Sequence, residues 1–129
     1  MIFSVPLIII FVDRKNNDSA VKSMNNLMED IKKIPRSVAI FPEGTRTSDG
    51  NLLPFKKGAA IFAINTDIPV VPVAISGTYH WSQKKLFDLS QSVITFEFGE
   101  PIMTKNYSFE DRDHLTKKIK SDIEKMKVN

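Results

Sequence analysis

The chain contains no cysteine, which excludes a disulfide framework, a thiolate nucleophile and any cysteine-held zinc or iron–sulfur centre. It also lacks an apolar run long enough to cross a bilayer. The opening stretch from Met1 to Val12 is almost wholly apolar, but a spanning helix needs about 20 such residues. That stretch has neither the basic start nor the small-residue cleavage site of a secretory signal, so Leu7 to Val12 is read as a buried strand. Without such a signal, the N-x-S triplets at Asn17 and Asn106 carry no weight as glycosylation sites. No stretch combines clustered arginine or lysine with interleaved aromatics, so nucleic acid is not expected as a partner. Internal repeats, low-complexity tracts and linkers are absent as well.

What remains is the composition of one globular domain: 129 residues, 42% hydrophobic and 26% charged. Eighteen Lys and Arg against fifteen Asp and Glu leave a net charge of +3, with a pI near 9.2. That mild basic excess suits an anionic substrate or a membrane surface.

Strand-like runs at Leu7 to Val12, Val38 to Phe41, Val70 to Ile75 and Val93 to Phe98 alternate with helical patterns. This is the signature of an α/β domain with a largely parallel sheet. After the first run, Asp18 or Ser19 can cap a helix whose apolar positions Val21, Met24, Leu27, Met28, Ile31 and Ile34 recur at helical spacing until Pro35. A shorter helix is expected from Lys57 to Asn65, apolar nearly all round and therefore buried. Near the end, Ser108-Phe109-Glu110-Asp111 resembles a capping box ahead of Leu115, Ile119, Ile123 and Met126. The opposite face of that last helix carries Lys117, Lys118, Lys120, Lys125 and Lys127, read either as a solvated face or as a contact for anionic lipid headgroups.

The chemistry concentrates where the second strand runs out into Phe41-Pro42-Glu43-Gly44-Thr45-Arg46. Ligands of open α/β sheets sit beyond the carboxyl ends of strands. At such a place Gly44 frees the backbone to approach a ligand, Thr45 offers a hydroxyl, and Arg46 a planar fork for phosphate. Glu43 would repel a phosphate, so it suits a ligand hydroxyl or the orientation of Arg46; a surface turn with a local Glu–Arg pair is the plainer alternative. Two further basic pairs, Arg14-Lys15 after the first strand and Lys56-Lys57 before the buried helix, stand near strand ends or a helix N-terminus, where anions are favoured. Simple solubility accounts equally for the second pair.

Phe11-Val12-Asp13-Arg14-Lys15-Asn16, Phe41-Pro42-Glu43-Gly44-Thr45-Arg46, Phe55-Lys56-Lys57-Gly58 and Val71-Pro72-Val73-Ala74-Ile75 resemble, in order and spacing, sequence blocks of the glycerolipid acyltransferases, the family of the 1-acylglycerol-3-phosphate acyltransferases. The resemblance covers residues 8 to 129. It implies a glycerol-3-phosphate acyltransferase-like α/β fold, a mixed or mostly parallel sheet with flanking helices. The implied reaction moves an acyl chain from coenzyme A or acyl carrier protein to lysophosphatidic acid, giving phosphatidic acid, with no cofactor or metal. It further implies that Arg14, Gly44 and Arg46 bind the acceptor phosphate and that Glu43 positions the glycerol; Thr45 joins them from its place in the turn, and Lys57 from its place before the helix. Val71, Pro72 and Val73 would line the acyl side, though they fit a buried strand equally well. A location peripheral to the cytoplasmic face of a membrane follows from the same resemblance.

The family's first block, N-H-x-x-x-x-D, supplies the His that takes the acceptor's proton and the Asp that orients it. Neither histidine here matches that pattern, since Lys85 follows His80 and Ile119 follows His114 at the place of the Asp. The chain is therefore expected to be a single truncated acyltransferase domain, 1–129, without its N-terminal part and with no catalytic residue of its own: a fragment, a relic, or one half of a split enzyme. His80 is the candidate substitute base, lacking a visible carboxylate partner. An uncovered apolar surface, and hence a tendency to associate with membranes or other chains, is expected too.

Overall fold

In a computed structural model the described residues are 7–9, 17–45, 47–78 and 93–126. Strand β1 (Leu7–Ile9) lies parallel to β2 (Ser37–Ala39), with Leu7 opposite Ser37 and Ile9 opposite Ala39. Parallel neighbours need a crossover rather than a tight turn, and here it contains α1 (Asn17–Lys33). The expected parallel pairing holds for these two strands, while the expected extension of β1 to Val12 falls outside the described residues. Helix α1 starts at Asn17, ahead of the expected cap at Asp18 or Ser19. Asp18 in its first turn and Lys32 and Lys33 in its last complement the helix dipole. Pro35 has no N–H to continue the ladder, and the Ile34 N–H makes the closing bond to the Asp30 carbonyl at 2.9 Å.

The apolar stripe of α1 is buried only at its middle. Leu27, Met28 and Ile31 are buried with Met24 beside them, but Val21 and Ile34 are 60% and 55% exposed. Length explains the correction. Seventeen helical residues run about 25 Å, whereas the nine residues of α2 (Gly58–Thr66), its principal partner, run about 13 Å. Both ends of α1 overhang.

Helix α2 is buried on two sides, as its all-round apolar sequence predicts. Phe62 packs into the α1 cluster with Val38, Ile40 and Ile68. Ala60 and Ile64 face the other way, into a second cluster with Ala74, Ile102 and the stripe Leu115, Ile119 and Ile123. That stripe belongs to α3 (Arg112–Met126). At its C-terminal end α2 closes on Asp67, in the left-handed region at φ 53, a conformation that Asp tolerates better than most residues. The hydroxyl of the fully buried Thr104 lies 3.3 Å from the Ala63 carbonyl and 3.1 Å from that of Ile68. It thereby bonds one carbonyl in the last turn of the helix and one just beyond its end, where the helix ladder gives out.

The third and fourth strands depart from a parallel arrangement. Strand β3 (Val73–Ser76) pairs antiparallel with β4 (Thr95–Phe98), Val73 opposite Phe98 and Ser76 opposite Thr95. Among the described residues the strands thus form two separate two-stranded sheets, β1 with β2 parallel and β3 with β4 antiparallel; both directions of a mixed sheet occur, but not within one ladder. Strand patterning reports burial and not direction, so the sequence left this open. Pro69 and Pro72 shorten the expected strand at its front, because neither can donate to a ladder; Val70 makes only an isolated bridge to Ile102, with bonds of 2.9 and 2.7 Å. Gly77 is required where the pair begins to part. Its φ is +91, and a Cβ there would lie 2.1 Å from the Val93 carbonyl oxygen. Along β4 all four residues are exposed, Phe96 and Phe98 by 60% and 70%.

A 3₁₀ turn, Phe109–Asp111, leads into α3. The Asp111 carboxylate accepts from the Ser108 N–H at 2.8 Å and from its hydroxyl at 3.0 Å, so the expected capping box is present. These two bonds, the backbone one first, hold the Asp111 carboxyl below its ordinary value, and the nearby His114 adds to the effect.

Thr104→Val keeps the shape and removes the hydroxyl, and is expected to cost about 1–3 kcal/mol in chemical denaturation through the buried hydrogen bonding it removes. The cap is pH-dependent. Because the folded state lowers the Asp111 pKa, its stabilisation is present above the unfolded-state value near pH 4 and disappears as pH falls through the lower, folded-state value. The stability difference between the protein and Asp111→Asn should therefore shrink in denaturation runs taken from about pH 7 down to about pH 3.

Candidate functional site

Beyond β2 the chain leaves the core through Ile40 and the 64%-exposed Phe41 and turns at once. Pro42 stands at the second position of that turn, where its fixed φ is preorganised, and the Gly44 N–H closes it onto the Phe41 carbonyl at 3.2 Å. Gly44 has φ +66, the left-handed region that costs an ordinary L-residue about 1–2 kcal/mol. This is a physical need for glycine in the turn, independent of any ligand.

Two bonds fasten the segment that follows back onto the turn. The Lys56 N–H donates to the Pro42 carbonyl at 2.8 Å, and the Leu53 N–H donates to Glu43 Oε2 at 2.9 Å. Between them Asp49 organises the loop, accepting from the Thr47 hydroxyl at 2.8 Å, the Asn51 N–H at 3.0 Å and the Asn51 amide at 3.1 Å. Those bonds, the Asn51 backbone one foremost, hold the Asp49 carboxyl below its ordinary value. Part of the role of Glu43 is thus to clamp the loop, which the sequence reading missed. Its readable signal is Asp49 within Thr47-Ser48-Asp49-Gly50-Asn51, a composition typical of side-chain-stabilised turns.

The sequence-predicted residues fall into three groups. Glu43, Gly44 and Thr45 lie together in the turn, Thr45 exposed. Arg14 and Arg46 lie outside the described residues, as does His80. Lys57 sits directly before α2 but turns away from Gly44: its ammonium pairs with Asp113 at 2.7 Å. It borders a groove of about 360 Å³ shared with Phe55 and the α3 residues Lys117 and Lys120. The hydrogen bond from Lys57 holds the Asp113 carboxyl below its ordinary value, with the positive charges of Lys57, Arg112 and Lys117 assisting. The lysine that does reach Gly44 is Lys56. A Cβ built on Gly44 would lie 3.2 Å from Lys56 Cε and 3.4 Å from its Nζ.

His114 is exposed on α3 and stacks on Tyr107, ring centroids 6.2 Å apart and planes at 21°. Of the segment Val71-Pro72-Val73, Val71 is 46% exposed and Pro72 fully buried. The lysine face of α3 is partly neutralised by its own acids, with Lys118 at 2.9 Å from Asp122 and Lys120 at 3.7 Å from Glu124. No helix among the described residues is long and apolar enough to cross a membrane.

A strand ending in a proline–glycine turn, with Lys56 folded back over it, does not by its geometry alone name a family. The decision comes from comparison, since the sequence model of the Acyltransferase family matches residues 2–76. This chain belongs to the acyltransferase family. The match contains β1, α1, β2, the turn, α2 and β3. The chain is 36% identical over 110 residues to a 1-acyl-sn-glycerol-3-phosphate acyltransferase of Limnanthes alba, covering 85% of this chain and 39% of that protein. Identity to the Saccharomyces cerevisiae enzyme of that name is 33% over 115 residues, covering 88% and 38%. Among solved structures it resembles the lysophosphatidic acid acyltransferase PlsC of Thermotoga maritima, with a TM-score of 0.64 and 27% identity, over 97% of this chain and 58% of that one. The chain thus spans about two-fifths of the length of the curated relatives it matches, 39% and 38% for those two.

The turn makes a direct prediction for this chain. Gly44→Ala is expected to destabilise it by about 1–2 kcal/mol from backbone strain, read as a lower denaturation midpoint, whereas Thr45→Ala on the same exposed turn should change stability by less than about 0.5 kcal/mol.

Proposed function

We propose that this chain forms the acceptor side of a lysophosphatidic acid acyltransferase acting peripherally at the cytoplasmic face of a membrane. The observation that carries the reading is the Phe41–Thr45 turn, with Gly44 at positive φ, in a chain 33–36% identical to lysophosphatidic acid acyltransferases over most of its length. In the reaction the acceptor's free hydroxyl oxygen attacks the thioester carbonyl carbon of acyl-coenzyme A or acyl carrier protein. The carbon–sulfur bond breaks, the thiol leaves with a proton, and phosphatidic acid results.

Within that reaction the residues here bind and orient. Arg14 and Arg46 take the acceptor phosphate in charge-assisted hydrogen bonds. Gly44 lets the backbone come close, Thr45 offers an N–H and a hydroxyl, and Glu43 keeps the loop behind the turn in place with one carboxylate oxygen while the other is available to the glycerol. Lys57, just before α2, contributes through its hold on Asp113 of α3. The hydroxyl's proton needs a base, and the residues from 1 to 129 include no H-x-x-x-x-D sequence. That observation favours a second reading, a phospholipid-binding module without chemistry of its own.

Joining a family N-terminal segment that carries the H-x-x-x-x-D block to this chain separates the two readings, acyl transfer by the joined protein supporting the first and acceptor binding without turnover the second. In a calorimetric titration Arg46→Ala should weaken lysophosphatidic acid binding by about 1.5–3 kcal/mol, the usual worth of a hydrogen bond to a charged group. Unchanged affinity would remove Arg46 from the site.

A further inference from the structure

We propose that Lys56 is a further phosphate-binding residue of the acceptor site, its ammonium closing over Gly44, and that Lys57 beside it is a fastening residue. The assignment rests on the acceptor-site reading above and adds to it a residue that reading did not contain.

Adjacent lysines are indistinguishable by composition, but these two point to different partners. Lys57 is spent: its Nζ is 2.7 Å from Asp113 Oδ1, tying the start of α2 to α3. Lys56 has no carboxylate partner among the described residues. The nearest acid in the turn, Glu43, gives Oε2 to the Leu53 N–H. The backbone of Lys56 is fixed by the 2.8 Å bond to the Pro42 carbonyl, which sets its side chain across the turn. There its stem lies where a side chain on residue 44 would have to be, Cε at 3.2 Å and Nζ at 3.4 Å from that Cβ position. Gly44 consequently has two roles, one for its φ and one for the room it leaves the lysine.

An exposed ammonium lying over Gly44, with no carboxylate partner among the described residues, is suited to a phosphate monoester, whose charged oxygens can accept from it as well as from the two arginines of the proposed site. A neutral monoacylglycerol gives it nothing to hold. Lys56 therefore discriminates phosphorylated from unphosphorylated acceptors and leaves contacts to the glycerol and acyl chain unaffected.

The test is calorimetric titration of the 129-residue chain with hexanoyl lysophosphatidic acid and, in parallel, hexanoyl glycerol, for the unsubstituted chain, Lys56→Gln, Lys56→Arg and Lys57→Gln. Lys56 is exposed and its fixed bond is main-chain, so circular dichroism should show all variants at position 56 folded. Lys56→Gln is expected to lose about tenfold in affinity for the phosphorylated ligand and nothing for hexanoyl glycerol. Lys56→Arg should retain most of the affinity, and Lys57→Gln should lose less than Lys56→Gln. Equal affinity of the unsubstituted chain and Lys56→Gln, or a loss at Lys57→Gln as large as at Lys56→Gln, overturns the assignment. If the unsubstituted chain binds hexanoyl lysophosphatidic acid no better than hexanoyl glycerol, the acceptor-site reading fails, and Lys56 with it.

Discussion

Helix α2 is buried on both sides, and the arrangement of the other described elements depends on that. Phe62 commits one side to α1 and to the end of β2, and Ala60 with Ile64 commits the other to α3 and β3. Two cores that share one helix cannot shift independently, because close-packed interiors transmit displacement rather than absorb it. The segment just before the helix is held by the same packing. Lys56 and Lys57, the last residues ahead of it, are delivered to the turn and to α3 respectively by where the helix starts.

From that constraint the candidate site follows by short links. The turn at the end of β2 is closed by its own Phe41–Gly44 bond, and the returning chain is fastened to it through the Pro42 carbonyl and the Glu43 carboxylate. None of these three bonds is strong alone, each contributing about 1 kcal/mol net. Together they fix a loop that would otherwise sample many conformations before a ligand arrived. A rigid turn loses less entropy on binding than a floppy one, and under the proposed acceptor reading Glu43 serves the loop with a carboxylate oxygen that a phosphate could not use.

The α3 helix is the most legible part of the fold. Its stripe of Leu115, Ile119 and Ile123 is buried as the spacing predicts, and Ser108 with Asp111 forms the expected cap, because both signals are local. Helix α1 was legible in its rhythm but not in its extent, since Val21 and Ile34 overhang a partner whose length no local pattern records. The direction of β4 was equally hidden. Whether Phe96 faces Ile75 in a parallel or an antiparallel ladder is settled by the path of the chain between the strands, not by which residues are apolar.

For the site, the sequence by itself determined the residue types and their neighbourhood: a glycine after proline and glutamate at the end of a buried strand, a hydroxyl and an arginine next to it, and a lysine pair before a buried helix. These were enough for the family, because chemistry of that kind is written in contiguous residues. Only the tertiary structure decided which lysine does what. Lys56 and Lys57 are one peptide bond apart, yet their side chains leave the backbone in different directions, one across Gly44 and one toward Asp113, 56 positions further along. The partner of a charged side chain is fixed by how distant segments pack, and that information resides in the whole chain rather than in any stretch of it.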